Sequence, residues 1–468
     1  MKSHGILNHY CSRCAPTPRA HQQLNEKAPS TIDSPLVSTT IISLTGFDRL
    51  PPEIFPLILQ CLDTKTLLNG PLLVCKRWRT FILSTNSLWQ HVSFGQLSNY
   101  SKLYQRLEAH KKLSCDSIKS IQISLGLNSN FDDYVLGHSF RHLESLKLSI
   151  NMTRVYPFLK SHPQLVELDL SFVTSPLSVQ GILLTLPRLE YLRLRSTLRS
   201  KNNPILLSSK EIIIHPIKVL KISDSELMMD TVKTILFNNL ESLYIYYPLP
   251  DFLANYQPPE FQTNRTIAFP KLRRLVVGFW LHQKLDNINR VDLPALEELH
   301  SISSTVDLSK LSFPSLKRLQ ADSNVEDYPK LTPYLQNLQV NGDFLHNAGM
   351  VHVILEWPDL AVLKIRSEKI TNQLLIKLEE VLPPRLHTLE LVTTQGWSDY
   401  RQAFSGPMIV QLVQNRIKAE TLSNGAVSRI KSLTVDLIND DHPKSVEWLK
   451  INVPDFVYNT YHHPSKLM

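Results

Sequence analysis

Glycine is scarce in this 468-residue chain, and its placement excludes more than its number does. The 13 glycines never recur two residues apart, so there is no GxG, hence no GxGxxG; GxxxxGK[ST] is missing as well. Phosphate cradles depend on such glycines, because backbone amides close around an anion only where no Cβ intervenes. HExxH and GxSxG are also absent, which removes the signatures of common zinc and serine hydrolases. Cysteine is sparse too: Cys11, Cys14, Cys61, Cys75 and Cys115 are an odd set confined to the first quarter, which is no disulfide framework. No apolar run approaches the roughly 18 to 20 residues that span a bilayer, and no N-terminal stretch joins a basic start to an apolar core. The expectation is an intracellular protein, cytoplasmic and/or nuclear, with no membrane association. The sequons at Asn151 and Asn264 would then go unused.

Long runs of one charge are lacking as well. Lysine and arginine number 50 against 42 aspartates and glutamates, a net +8 with an isoelectric point near 9.1, which draws acidic partners by long-range attraction. The densest basic clusters are only Lys76, Arg77 and Arg79, and Arg273 with Arg274. A nucleic-acid partner is therefore disfavoured. No catalytic constellation emerges from the scattered histidines and charges, and no cofactor is expected. Cys11 and Cys14 with nearby His4, His9 and His21 could supply metal ligands, but the segment has no second CxxC or paired-histidine spacing. No metal site is assigned.

What is present falls into distinct stretches. Residues 1–44 carry Pro, Ser, Thr and His without periodicity and read as a disordered leader. From Leu50 to Val92 the apolar positions Ile54, Leu57, Ile58, then Leu67, Leu68, Leu72, Leu73, then Trp78, Phe81, Ile82 have the three-and-four spacing of packed amphipathic helices. So small a helical unit rarely makes a stable core alone. From residue 118 a short motif, LxxLxL with Ile or Val allowed, recurs at Ile118, Leu143, Leu165, Leu189, Ile217, Leu240, Leu272, Leu296, Leu316, Leu335, Leu360, Leu386 and Ile430. Through Leu386 the spacing is irregular but averages about 24 residues, within the leucine-rich-repeat range. Alternate residues of each strand would face a shared core that no single copy can bury. Proline stands two residues ahead of eight copies, at Pro163, Pro187, Pro270, Pro294, Pro314, Pro333, Pro358 and Pro384; it ends the returning segment and directs the chain into the strand. The Leu296 copy ends in Ser301, where a local defect is expected.

The stretch LPPEIFPLILQCLDTKTLLNGPLLVCKRWRTFILSTNSLW, Leu50 to Trp89, resembles an F-box. The likeness rests on LP at the first helix, Glu53-Ile54, Leu62-Asp63 at the next turn, Val74-Cys75-Lys76-Arg77-Trp78, and Leu88-Trp89 at the end. With the repeats, the chain resembles F-box proteins that carry leucine-rich repeats. That resemblance implies a substrate receptor of an SCF-type (Skp-cullin-F-box) ubiquitin ligase, itself non-catalytic. Leu50, Pro51, Ile54 and Ile58 would bind a Skp-type adaptor and through it a cullin. Two departures stand out: Pro56 inside the first helix, where a kink is expected, and Gly70-Pro71 ahead of Val74. Cys61 and Cys75 are expected to be buried as small apolar groups, and Asp63 can cap the second helix. Alternatively, the helices only cap the repeats, and the chain is a repeat-based scaffold without ligase coupling.

If residues three, five and seven of each motif face outward from the core, Tyr191, Arg193, Arg195, Lys221, Tyr244, Tyr246 and Arg274 form one basic, aromatic patch, bounded by Glu167 and Asp169. Arginine and tyrosine concentrate binding energy, and the guanidinium fork suits carboxylate or phosphate. This is the candidate site for a protein substrate, acidic or phosphorylated; the same residues could equally form solvated strand faces. The expected architecture is α/β. A leader at 1–44, an F-box at 45–93 and a helical linker at 94–117 precede an irregular, horseshoe-like leucine-rich-repeat solenoid at 118–440, with a C-terminal cap and tail at 441–468.

Overall fold

The computed structural model describes residues 51, 53–62, 64–94, 100–123, 134–135, 137–149, 155–171, 179–195, 213–222, 235–236, 238–248, 266–279, 290–301, 311–321, 332–341, 353–367, 372–393, 405–438 and 443–461. The leader, Leu50, Asp63 and the Cys11/Cys14 pair lie outside them. The chain divides into two compact units, 1–150 and 151–468.

The first unit opens with four short helices: α1 (Ile54–Gln60), α2 (Thr64–Asn69), α3 (Pro71–Val74) and α4 (Lys76–Ser84). Their core is Leu59, Leu67, Leu72, Ile82, Leu88 and Trp89, with Phe55, Leu62, Leu68 and Phe81 packed against it. Pro56 does not interrupt α1. As the third helical residue it lies in the first turn, whose amides have no intrahelical acceptor in any case, so the missing N–H costs little. Gly70-Pro71 separates α2 from α3, with Pro71 as the first helical residue, where its fixed φ suits a helix start. Cys75 caps α4, its sulfur accepting from the Trp78 amide at 3.5 Å. Cys61 and Cys75 are both exposed, contrary to the expectation of burial: each sits at a helix boundary, turned away from the leucine core. Strands β1 (His91–Phe94), β2 (Ser120–Ile123) and β3 (Ser145–Ser149) then pair in parallel, β1 with β2 and β2 with β3, and α5 (Tyr100–Leu113) falls between β1 and β2 in sequence.

In the second unit the recurring motif becomes strand. The main sheet contains β4 (Glu167–Ser171), β5 (Tyr191–Arg195), β7 (Val219–Ile222), β9 (Ser242–Pro248), β11 (Arg274–Phe279), β13 (Glu298–Ser301), β15 (Arg318–Ala321), β16 (Asn337–Asn341), β17 (Val362–Ser367), β18 (Thr388–Thr393), β19 (Ser432–Ile438) and β20 (Asp455–Tyr461), in that spatial order. The neighbours pair in parallel. Parallel neighbours need a crossover between them, and the kind of return varies. The helices α6 (Val155–Ser161), α7 (Val179–Thr185), α8 (Asn372–Val381), α9 (Gly406–Leu422) and α10 (Pro443–Asn452) lie near the two ends of the unit's sequence. In its middle, β10 (Thr266–Ala268), β12 (Arg290–Asp292) and β14 (Leu311–Ser312) form a second small parallel sheet, and β6 (Ile213–Ile214) pairs with β8 (Ile235–Leu236).

The motifs bury their apolar positions: Leu165, Leu168 and Leu170, for example, or Leu386, Leu389 and Leu391, all at most 1 % exposed. Full burial of such a side chain contributes about 1.5–3 kcal/mol, which makes the triplets the main source of cohesion. The prolines occupy the second position of a four-residue turn. The residue ahead of each accepts a hydrogen bond from the first apolar residue of the motif: Leu189 N–H to Leu186 O at 3.1 Å, Leu316 to Phe313 at 3.3 Å, Leu360 to Trp357 at 3.1 Å. Proline presets φ at that position. Phe140 and Leu143 make the same bond across Arg141 and His142, so proline favours the turn without being required. At the Ile217 motif a buried imidazole replaces it. His215 Nδ1 accepts from the Ile217 amide at 3.2 Å, leaving Nε2 to donate to Leu183 O and Leu186 O at 3.1 and 3.0 Å.

The defect expected at Ser301 is not there: Ser301 pairs in register with Val277 on one side and Ala321 on the other. The register shift falls between Val277 and Phe279, where β11 meets β9. Strand β20 lies in the stretch expected to be cap and tail. It carries no LxxLxL, yet it pairs with β19 over seven residues.

Candidate functional site

Two surfaces follow from these elements. The first is on the helical module. Positions 55, 59 and 62 of the first helix and its following turn point into the leucine core, anchored by Phe55, whose ring packs edge-on against Trp78 and Phe81 at 4.7 and 4.9 Å between centroids. Arg79 Nε ties α4 to α3 by donating to Leu72 O at 3.2 Å, and Trp89 Nε1 donates to Ile82 O at 2.9 Å. The helical period then forces Ile54, Leu57 and Ile58 to the other side, where all three are exposed, as are Leu73 and Val74 on α3. Among the four residues expected to bind an adaptor, Ile54 and Ile58 thus share an exposed apolar face; Pro51 is exposed and Leu50 lies outside the described residues. Leu57 belongs to that face by its spacing from Ile54. Leu73 and Val74 were not singled out, because the break at Gly70-Pro71 hides their phase.

The second surface lies on the main sheet of the second unit. The register places Asp169, Arg193, Lys221 and Tyr244 at one level of β4, β5, β7 and β9, and Tyr191 and Arg274 one step earlier on β5 and β11. These residues do meet. Lys221 Nζ lies 4.4 Å from the centroid of the Tyr244 ring and 5.4 Å from that of Tyr191, and Arg274 sits over the same Tyr244 ring at 5.4 Å. Such cation–π contacts strengthen as water is removed. Two carboxylates bracket the cations: Arg193 Nη1 is 3.5 Å from Asp169 Oδ2, and Arg274 Nε is 3.2 Å from Glu298 Oε2. Glu298 also receives His300 Nε2 at 2.7 Å. Burial, followed by Arg193 and Arg274, pulls the Lys221 ammonium pKa below its ordinary value, with Asp169 opposing. Arg195 is exposed at the end of β5. Tyr246 lies on β9, but its side chain is outside the described residues. Glu298 was missed in the sequence, although it holds the same motif position as Arg274 on the adjoining strand, which was the available signal.

Elsewhere several charged groups are paired with one another. Glu390 accepts from Arg366 Nε and Nη2 at 2.9 and 2.6 Å and pairs with Lys364 at 3.0 Å; buried Asp436 accepts from Thr393 N, Thr393 Oγ1 and Asn459 Nδ2. A cleft of about 570 Å3 runs past Gln336, Asp359, Arg385 and His387, where Arg385 and Asp359 pair at 2.6 Å. Among the described residues no three His, Cys, Asp or Glu side chains converge as a metal site would require, and no helix is long and apolar enough to cross a membrane.

The module of four short helices thus carries an uncovered apolar face, in a chain that also carries a long parallel sheet. The module itself is more specific: a protein-family profile described as F-box-like matches residues 47–95. The match supports an F-box protein. Comparison with curated proteins gives no match.

Proposed function

We propose that this protein is the substrate-recognition adaptor of an SCF-type ubiquitin ligase, docking through its F-box-like domain and holding a protein substrate on its repeats. The observation that carries this reading is the exposed apolar face of Ile54, Leu57 and Ile58, lying within the residues that the F-box-like profile matches. A helix face of that kind suits a groove on a helical partner, here a Skp-type adaptor and through it a cullin. The LxxLxL strands, parallel and in register with buried triplets, support a leucine-rich-repeat solenoid. The substrate site is the patch around Lys221. No residue of this chain performs chemistry in this scheme. Tethering raises the concentration of substrate lysines near the ubiquitin-charged enzyme, as any linked pair of binding events does. The protein would work in the cytoplasm or nucleus, where that machinery acts.

The test is co-purification with a Skp-type adaptor. Wild type should retain the adaptor, and Leu50→Ala with Pro51→Ala should lose it. Failure of the wild type to bind, or full binding by the double variant, would leave a repeat-based scaffold without ligase coupling.

A further inference from the structure

The patch on the second unit is more discriminating than its positive charge alone implies. Three cations stand on nearby strands, Arg193, Lys221 and Arg274, and two carboxylates close the row at either side. Asp169 engages Arg193 and Glu298 engages Arg274. Among the described residues Lys221 has no carboxylate at ion-pair distance. It is held instead between two tyrosine rings. Neighbouring strands of a sheet are about 4.8 Å apart, so the ammonium occupies a slot only about two strands wide between aromatic walls. Arg274 is committed to Glu298 by an ion pair, Nε lying 3.2 Å from Oε2 and buried, which leaves Lys221 as the cation of the row without such a carboxylate.

We infer that Lys221, walled by Tyr191 and Tyr244 and flanked by Arg193 and Arg274, receives one isolated anionic side chain of a protein segment, a carboxylate or a phosphoryl group. This deepens the substrate site proposed above and rests on that reading. The limit of one anion comes from the edges of the row. An acidic run, or the regularly spaced phosphates of a nucleic acid, would bring further negative charge against Asp169 on β4 and Glu298 on β13, where like charges repel. A segment with neutral residues on both sides of one anion meets no such repulsion, and its flanking carbons can lie along the tyrosine rings. The ammonium pKa, lowered chiefly by burial and then by Arg193 and Arg274, agrees with a cation that has no carboxylate at ion-pair distance.

The experiment is fluorescence anisotropy with the full chain and labelled probes: a neutral hexapeptide carrying one phosphoserine, the same peptide with one glutamate, the same with serine, hexaglutamate, and a twelve-nucleotide oligothymidylate. The inference expects the phosphoserine or glutamate peptide to bind at least tenfold tighter than the serine peptide. The better of the two identifies the anion. Hexaglutamate and the oligonucleotide should bind no tighter than the single-anion probe. Lys221→Met should weaken that probe at least tenfold, Lys221→Arg by less than threefold, and Tyr191→Leu with Tyr244→Leu by an intermediate factor. Tighter binding of hexaglutamate or the oligonucleotide would make the patch a polyanion surface and overturn the inference, as would equal binding by Lys221→Met or no preference over the serine peptide. Adaptor co-purification measured on the same preparations keeps the two claims apart. Lost peptide selectivity with the adaptor retained removes only this inference, whereas a wild type without adaptor removes the ligase reading.

Discussion

Changing Ile54, Leu57 and Ile58 together to serine should abolish most adaptor binding. The magnitude follows from how much of each side chain remains to be covered. They are 40, 58 and 40 % exposed. Full burial of such a side chain contributes about 1.5–3 kcal/mol, so covering the exposed half contributes about 1 kcal/mol each. The triple variant therefore loses about 3 kcal/mol of association free energy, close to two powers of ten in Kd. By the same measure the half already covered contributes about 1 kcal/mol each to the module's own packing, so binding is to be measured on variant protein that circular dichroism shows to be folded. Leu59→Ala is the opposite case. Leu59 is 2 % exposed, packed with Leu67, Leu72, Ile82, Leu88 and Trp89, and its truncation should destabilise the module by about 2–5 kcal/mol. Titration calorimetry with a purified Skp-type adaptor measures the first quantity and urea unfolding the second. The reasoning is refuted if the folded triple variant binds within threefold of wild type, or if Leu59→Ala leaves the unfolding midpoint unchanged.

Arg416, buried on α9, donates to the carbonyls of Leu382, Pro383, Pro384 and Leu386; Arg416→Met should cost at least about 3 kcal/mol in denaturant unfolding, because those acceptors lose a charged donor. Burial depresses the His110 pKa to about 4 from 6.5, so the unfolded chain takes up the proton first on acidification. Stability is then fully present above pH 6.5 and falls by about 3 kcal/mol as the pH drops towards 4, a decline that unfolding curves should lose in His110→Phe. Pro187→Ala should cost only about 0.4–1 kcal/mol, the entropy of an unfolded chain freed at one turn position, whereas Leu189→Ala in the same turn should cost about 2–5 kcal/mol.

Strand periodicity could be read directly because its cause is local. An LxxLxL motif puts one buried residue in the turn and two on the strand that follows, and that spacing marks Leu165, Leu168 and Leu170 as plainly as it marks Ile430, Leu433 and Val435. The patch was legible for a related reason. In a parallel ladder without register shifts, equal motif positions become neighbours, so Arg193, Lys221 and Tyr244 could be aligned in advance. Less was legible where the cause was not periodic. Strands β1 and β20 lack the motif and join the ladders by pairing with a strand already formed. Cys61 and Cys75 looked apolar by composition but stand exposed at helix ends.

The amino-acid sequence by itself determined which residues are buried in each repeat, where the chain turns into a strand, and that a helical unit resembling an F-box precedes the repeats. These depend on side-chain type, spacing and the fixed φ of proline, all properties of a few consecutive residues. Only the tertiary structure decided which charges compensate one another. Asp169 and Glu298 are 129 residues apart in the chain, yet they close the two sides of one row by pairing with Arg193 and Arg274 across strands. Lys221 is left between two rings without a carboxylate at ion-pair distance among the described residues, because electrostatic interaction depends on distance in space and not on separation along the chain.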